Sequence, residues 1–118
     1  MKKNKRKINS ENHLEKIPVR PNHIGWTSDD CMVVLLIENK GIVKKLTQTF
    51  FGKPKISYVH LDELGSFIWL LMDGEKNIIE IADCVKAQFG EKAEPLYQRI
   101  IAFFRILESY GFVAWNNQ

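Results

Sequence analysis

This sequence has few long apolar runs and little cysteine. Its longest uninterrupted apolar runs, Met32–Ile37 and Phe67–Met72, have six residues each, far fewer than the roughly 20 that a membrane-spanning helix needs. Two cysteines, Cys31 and Cys84, are too few for a disulfide framework and lack metal-site spacing. The basic start has no apolar segment behind it, so it does not resemble a secretory signal. We expect a reduced, cytoplasmic protein with no transmembrane segment.

Catalytic motifs are also missing. The sequence contains no G-x-G-x-x-G, no G-x-x-x-x-G-K-[ST] and no H-E-x-x-H. Neither cysteine has a neighbouring histidine or basic cluster that would activate a thiolate, so both are interpreted as small buried hydrophobic residues. The adjacent acids Asp29-Asp30 and Asp62-Glu63 fit a turn and a helix start better than an acid–base pair. The sequence therefore predicts a non-catalytic protein without a cofactor.

Positive charge is concentrated at the start of the chain. Residues 1–16 hold six Lys and Arg against two Glu and are aperiodic, which is typical of a disordered arm. Residues 17–118 hold eleven Lys and Arg against twelve Asp and Glu, which argues against a large nucleic-acid-binding face. The predicted organisation is a disordered basic arm at 1–16 and a single folded domain at 17–118.

The centre of the chain combines a strand with a helix. Lys55–Val59 alternates like a strand, and the period changes at Asp62. Beyond that point the apolar residues recur at i, i+3, i+4 and i+7, which is the spacing of one helical face: Leu64, Phe67, Ile68 and Leu71. Trp69 lies beside this face, so the helix is expected to be buried on most sides.

Two further strands are predicted before this centre, and two more helices after it. Gly25–Ser28 and Cys31–Glu38 have strand character and are joined by a turn at Asp29-Asp30. A short amphipathic helix is expected within residues 41–51, and its lysines form either a solvated face or a docking patch for an acidic partner or a membrane surface. The later helices start at Asn77 and at Pro95, and a short closing strand could follow at 112–115.

The last helix carries two apolar faces. The first is the expected core face: Leu96, Ile100, Phe103, Leu107 and Tyr110. The second, which Arg105 and Glu108 border, consists of Tyr97, Ile101 and Phe104. Either the domain covers both faces, or the second lines a groove whose other wall is the edge strand Lys55–Val59. Such a groove would suit a guest peptide that adds as a strand.

Several fragments together resemble the PqqD-like family, whose founding member takes part in pyrroloquinoline quinone biosynthesis. They cover roughly residues 17–115 and are His60–Trp69, Asp73-Gly74, Ile78-x-x-Ile81-Ala82, Phe89-Gly90 and Leu107-x-x-x-Gly111-Phe112-Val113. The resemblance implies an α+β, winged-helix-like domain in which a small antiparallel three-stranded sheet precedes three helices. It also implies a peptide chaperone, the recognition element for ribosomally made, post-translationally modified peptides.

In that family the leader of a precursor peptide adds to the third strand, against the third helix, and is presented to a modifying enzyme, often a radical S-adenosylmethionine enzyme. The resemblance therefore implies these peptide-binding residues: Lys55, Ile56, Ser57, Tyr58, Val59, Tyr97, Ile101, Phe104, Arg105 and Glu108. We expect proline at Ser57 or Val59 to abolish guest binding where the replaced N–H faces the guest, and to damage the fold where it faces inward.

Two other functions compete with peptide binding. A winged-helix DNA-binding regulator would also combine three helices with a basic arm, but its recognition helix should be net positive. Residues 91–110 instead hold three acids and three bases. A scaffold within a protein complex would bury the second face of the last helix against another protein.

Overall fold

In the computed structural model, residues 14–39 and 55–116 are described. The strands are β1 (Ile17–Val19), β2 (Gly25–Asp29), β3 (Met32–Asn39), β4 (Lys55–His60) and β5 (Ala114–Asn116). The helices are α1 (Glu63–Leu71), α2 (Ile78–Phe89) and α3 (Leu96–Tyr110), and a 3₁₀ turn (Gly90–Ala93) precedes α3. The predicted helix within 41–51 and nearly all of the predicted arm lie outside the described residues.

The main sheet is antiparallel, in the order β2-β3-β4. Asp29 pairs with Met32, so the hairpin loop between β2 and β3 consists of Asp30 and Cys31, with φ values of 59° and 66°. Positive φ at both central residues is the signature of the tight type I′ turn, whose twist matches that of the strands. The predicted turn at Asp29-Asp30 was therefore one residue early. Cys31 is exposed in the loop, so its predicted burial was wrong.

The helix ends follow the local sequence. Asp62 caps α1 by accepting a hydrogen bond from the Gly65 N–H at 2.7 Å. Asn77 and Glu80 form the predicted capping box, in which each side chain accepts from the other residue's backbone N–H, at 2.8 and 2.9 Å. Helix α3 ends at Gly111, whose φ of 76° suits a residue without a side chain.

Helix α1 lies at the centre of the core, as its pattern predicts. Ile68 and Trp69 are fully buried, and Trp69 meets Trp26 of β2 edge to face with 6.3 Å between ring centroids. The sheet contributes Val33 and Leu35, both 0% exposed. The remaining core comes chiefly from α2 and α3: Ile78, Ile81, Ala82, Val85, Leu96, Ile100, Phe104 and Leu107. The α+β class with a small antiparallel sheet and three helices is thus confirmed.

A second, two-stranded sheet joins the two ends of the described chain, because β1 pairs antiparallel with β5. Just before β1, Leu14 packs against the core and the Lys16 carbonyl accepts a hydrogen bond from the Ile78 N–H at 3.2 Å. The folded body therefore includes residues 14–16, which lie before the predicted boundary at residue 17. None of the helices in the described ranges is long and apolar enough to cross a membrane.

Candidate functional site

Strand β4 is an edge of the main sheet. It pairs with β3 from Asn39↔Lys55 to Val34↔His60, and in the described part of the chain no strand lies on its other side. An edge strand presents backbone N–H and C=O groups on which another chain can pair. This confirms the position predicted for the strand Lys55–Val59 in the sheet.

The register shows which residues of β4 turn their main-chain groups outward. The Leu61 N–H donates to the Val33 carbonyl at 2.9 Å, so positions 33 and 61 form a hydrogen-bonded pair. Hydrogen-bonded pairs alternate with non-hydrogen-bonded pairs in antiparallel sheets. Ser57 and Val59 therefore bond to β3, whereas the main-chain groups of Ile56, Tyr58 and His60 point away from it. Neither position proposed for the proline test has an outward N–H.

One buried hydroxyl fixes the end of β4 against α1. Ser66 is 0% exposed, and its Oγ accepts from the Val33 N–H at 2.9 Å and donates to the Leu61 carbonyl at 3.3 Å. Ser66 thus completes the pair between positions 33 and 61, which otherwise has only the Leu61 hydrogen bond. The same contact fixes the point at which α1 leaves the sheet.

A cavity of about 270 Å³ lies just beyond the end of β4, between α1 and α3. Its lining residues are Asp62, Leu64, Gly65, Ile68, Arg99, Ala102, Phe103 and Ile106, and we call this cavity the α1–α3 groove. A Cβ atom at Gly65 would stand 3.0 Å from Phe103 Cε1 and 3.6 Å from Leu61 Cβ. The bare Gly65 backbone therefore lets the Phe103 ring pack against α1, close to the residue that follows β4.

The polar groups at the groove are engaged in local bonds. Asp62 caps α1, and Arg99 Nη1 donates to the Lys92 carbonyl at 2.8 Å. The rest of the lining is mainly aliphatic and aromatic, and Ile106 is 56% exposed. The groove can therefore accept apolar side chains from a segment that follows the outer side of β4.

The predicted face of α3 lies on a different side of that helix. Phe104 is 0% exposed and belongs to the core, with its ring 5.9 Å from that of Trp115. Glu108 Oε2 accepts a hydrogen bond from Trp115 Nε1 at 3.3 Å. Successive helical residues are 100° apart, so Tyr97, Ile101, Phe104, Arg105 and Glu108 face roughly opposite to Arg99, Ala102, Phe103 and Ile106. Phe104 therefore belongs to the core, whereas a peptide-binding role for Tyr97, Ile101, Arg105 and Glu108 stays a prediction.

The groove residues on α3 were missed because the sequence assigned Phe103 to the core. The actual core face is Leu96, Ile100, Phe104 and Leu107, whereas Phe103 is half-buried and Tyr110 is 68% exposed. One signal was present: the small pair Gly65-Ser66 interrupts the large residues of α1. Small residues in a packed helix mark a close approach by a neighbour, which here is Phe103.

The titratable groups of the described ranges form no metal-binding cluster. Residues 14–39 and 55–116 hold no group of three or more His, Cys, Asp or Glu that could bind a metal ion. The carboxyl group whose pKa departs most clearly from its ordinary value is that of Asp73, in the loop between α1 and α2. The Glu75 N–H donates to it and, together with Lys76, lowers its pKa from 3.8 to about 2. These hydrogen bonds hold the loop in place, and Asp73 is not among the residues that line the groove.

Comparisons with known proteins match both the sequence and the fold. The sequence model of the family "Coenzyme PQQ synthesis protein D (PqqD)" matches residues 33–113, which include β4 and the α1–α3 groove. The solved structure of TbiB1 in complex with the TbiA(beta) leader peptide has the same fold, with a TM-score of 0.58 and 24% sequence identity. The match covers 80% of this chain and 93% of TbiB1. A search of curated proteins gives no match.

Proposed function

This chain belongs to the family of coenzyme PQQ synthesis protein D (PqqD), and on that premise we propose that it is a non-catalytic peptide-binding protein. It captures the leader of a ribosomally made precursor peptide by strand addition and presents it to a modifying enzyme. The observation that carries the proposal is the outer side of β4, which leads directly to the apolar α1–α3 groove.

Strand addition uses both features. The main-chain groups of Ile56, Tyr58 and His60 would bond the guest's backbone, which gives affinity for any extended segment. The groove beside Phe103 and Ile106 would take the guest's side chains, which gives selectivity. TbiB1 was solved with a leader peptide bound, and we propose the same class of guest for this chain.

The second proposed partner is a peptide-modifying enzyme, with the radical S-adenosylmethionine enzymes as the first class to examine. We propose the cytoplasm as the site of action, because precursor peptides are made there and both cysteines of this chain are free thiols. A DNA-binding role has less support, because the exposed part of the groove face of α3 is aliphatic and aromatic and its Arg99 bonds the Lys92 carbonyl.

The first experiment is affinity capture of the tagged chain from its own cells, with nuclease treatment and mass spectrometry extended to small peptides. We expect a short precursor peptide, a modifying enzyme or both on the resin. Capture of large housekeeping proteins alone would contradict the proposal in favour of a scaffold, and capture lost on nuclease treatment would favour DNA binding.

Proline substitutions then test the binding mode. His60→Pro removes an outward N–H and should abolish peptide binding while the fold persists, whereas His60→Ala keeps the N–H and should still bind. Val59→Pro removes an N–H that bonds β3, so it should lower the melting temperature. Peptide binding that survives His60→Pro unchanged would contradict strand addition.

A further inference from the structure

The face of the main sheet turned away from the core carries its own apolar patch. Directly paired residues share a face of the sheet, and the fully buried Val33 and Leu35 define the core face. The opposite face therefore carries the pairs Leu36↔Tyr58, Val34↔His60 and Glu38↔Ile56. We call Val34, Leu36, Ile56 and Tyr58 the outer patch; Ile56 is 43% exposed and Tyr58 63% exposed.

Leu36 of the outer patch is the middle residue of a row that crosses all three strands of the main sheet. Leu36 lies between Tyr58 on β4 and Gly25 on β2, and a Cβ atom at Gly25 would stand 3.6 Å from Leu36 Cβ. The exposed Tyr58 ring is thus the end of this row nearest the free edge of β4. Exposed β-branched and aromatic side chains beside an unpaired edge invite a further strand unless something covers them.

Any strand that adds to β4 must place side chains beside this patch. The guest residue opposite Tyr58 would have its Cβ atom about 4.5–5.5 Å from that of Tyr58, on the outer face. Its two neighbours would stand opposite Ser57 and Val59 and point to the other face, because side chains alternate along a strand. The neighbour at Val59 lies toward the end of β4 and the α1–α3 groove.

We propose, resting on the strand addition proposed above, that the guest peptide is read on both faces and that Tyr58 determines specificity on the outer one. Tyr58 selects an apolar or aromatic side chain at the guest residue paired with it, while the groove selects side chains that the guest turns to the other face near the end of β4. The occupant of the outer patch is the guest peptide's own alternate side chains. The preferred guest is therefore an extended segment that is apolar on both faces, and not an alternating apolar–polar strand.

The test is a selection from a display library of random 12-residue peptides on the immobilised full chain, followed by affinities of one selected peptide. We expect enriched apolar residues at successive positions. Tyr58→Thr, which keeps strand preference, should weaken the selected peptide about fivefold to tenfold and relax only the position paired with Tyr58. Tyr58→Phe should bind normally, and Tyr97→Ala, a tyrosine change on the far side of α3, should have no effect.

The outcomes separate this inference from the proposed function. Suppose that His60→Pro abolishes peptide binding, whereas Tyr58→Thr changes neither the affinity nor the selected residue pattern. That result would overturn the role of Tyr58 on the outer face and leave strand addition standing. Peptide binding that neither His60→Pro nor Tyr58→Thr changes would overturn strand addition and the outer-face inference together. A library that enriches no peptide would do the same. A melting temperature that falls in Tyr58→Thr well below that of Tyr97→Ala would show that this chain itself covers the patch, which also overturns the inference.

Discussion

At the scale of single residues, Ser66 shows how a buried polar group positions the edge strand β4. Its hydroxyl bonds the Val33 N–H and the Leu61 carbonyl and so ties β3, the end of β4 and α1 together. A buried N–H that loses its acceptor carries the full desolvation penalty. Ser66 therefore matters more to the site than its small size indicates.

Ser66→Ala should lower the free energy of unfolding by about 1–3 kcal/mol, because it leaves the Val33 N–H buried without its acceptor. Urea unfolding monitored by circular dichroism measures the change. The matched control is Ser109→Ala, since Ser109 Oγ donates to the Ile106 carbonyl on an exposed turn and its loss should cost less than about 0.5 kcal/mol. Equal effects of the two variants would show that the Ser66 bonds contribute nothing.

Asp73 should make stability depend on acid pH. Its folded pKa of about 2 lies below the ordinary 3.8, so its ionised form favours the folded state above about pH 4, and this contribution is lost as the pH falls toward 2. Asp73→Asn should therefore lower the melting temperature at pH 6, and the gap from the unsubstituted chain should narrow as the pH falls from about 4 through 2. A gap of constant size across that range would contradict the assigned pKa shift.

At the scale of elements, α3 separates the groove from the small sheet. Its core face stands between the groove residues Phe103 and Ile106 on one flank and Glu108, which accepts a hydrogen bond from Trp115, on the other. A side chain on the second flank faces roughly opposite to the groove, so we expect it not to contact a guest on β4.

Ile106→Asp should weaken guest binding at least about tenfold, because it puts a charge into an apolar groove, and should leave the melting temperature nearly unchanged because Ile106 is 56% exposed. Ile101→Asp is the matched control on the opposite flank and should leave affinity unchanged. Isothermal titration of the captured peptide compares the two. The reverse result would restore the face predicted from sequence.

The sequence of this chain predicts its helices and strands better than it predicts which side of each one is buried. Local signals are enough for the Asn77 capping box and for the helix that follows the strand Lys55–Val59. Which residues of β4 turn their main-chain groups outward depends on the register between β4 and β3. The sequence of β4 alone does not determine that register. The core face of α3 was misassigned because Phe103 and Phe104 are adjacent identical residues. Only the folded structure shows that Phe104 is buried and that Phe103 packs on Gly65.

At the scale of the whole molecule, the small sheet closes the domain by pairing β1 with β5. The chain just before β1 takes part as well: Lys16 Nζ lies 5.4 Å from the Trp115 ring centroid, and Leu14 packs on the core. The folded body therefore depends on residues that their composition assigns to a charged arm.

Two truncations test that boundary. Removing residues 1–16 should lower the melting temperature relative to removing residues 1–13, because only the longer deletion takes away Leu14 and the Lys16 carbonyl that the Ile78 N–H bonds. Thermal unfolding of the two truncated chains gives the comparison. Equal melting temperatures would place the boundary at residue 17 after all.

Strand addition on β4 is tested most directly by amide hydrogen exchange, followed by NMR with and without the captured peptide. The amides of Ser57 and Val59 bond β3 and should be protected in both states. Those of Ile56, Tyr58 and His60 should exchange faster in the free chain and slow by about tenfold or more when the peptide binds. A peptide that binds while these three amides keep their free exchange rates would contradict the proposed function.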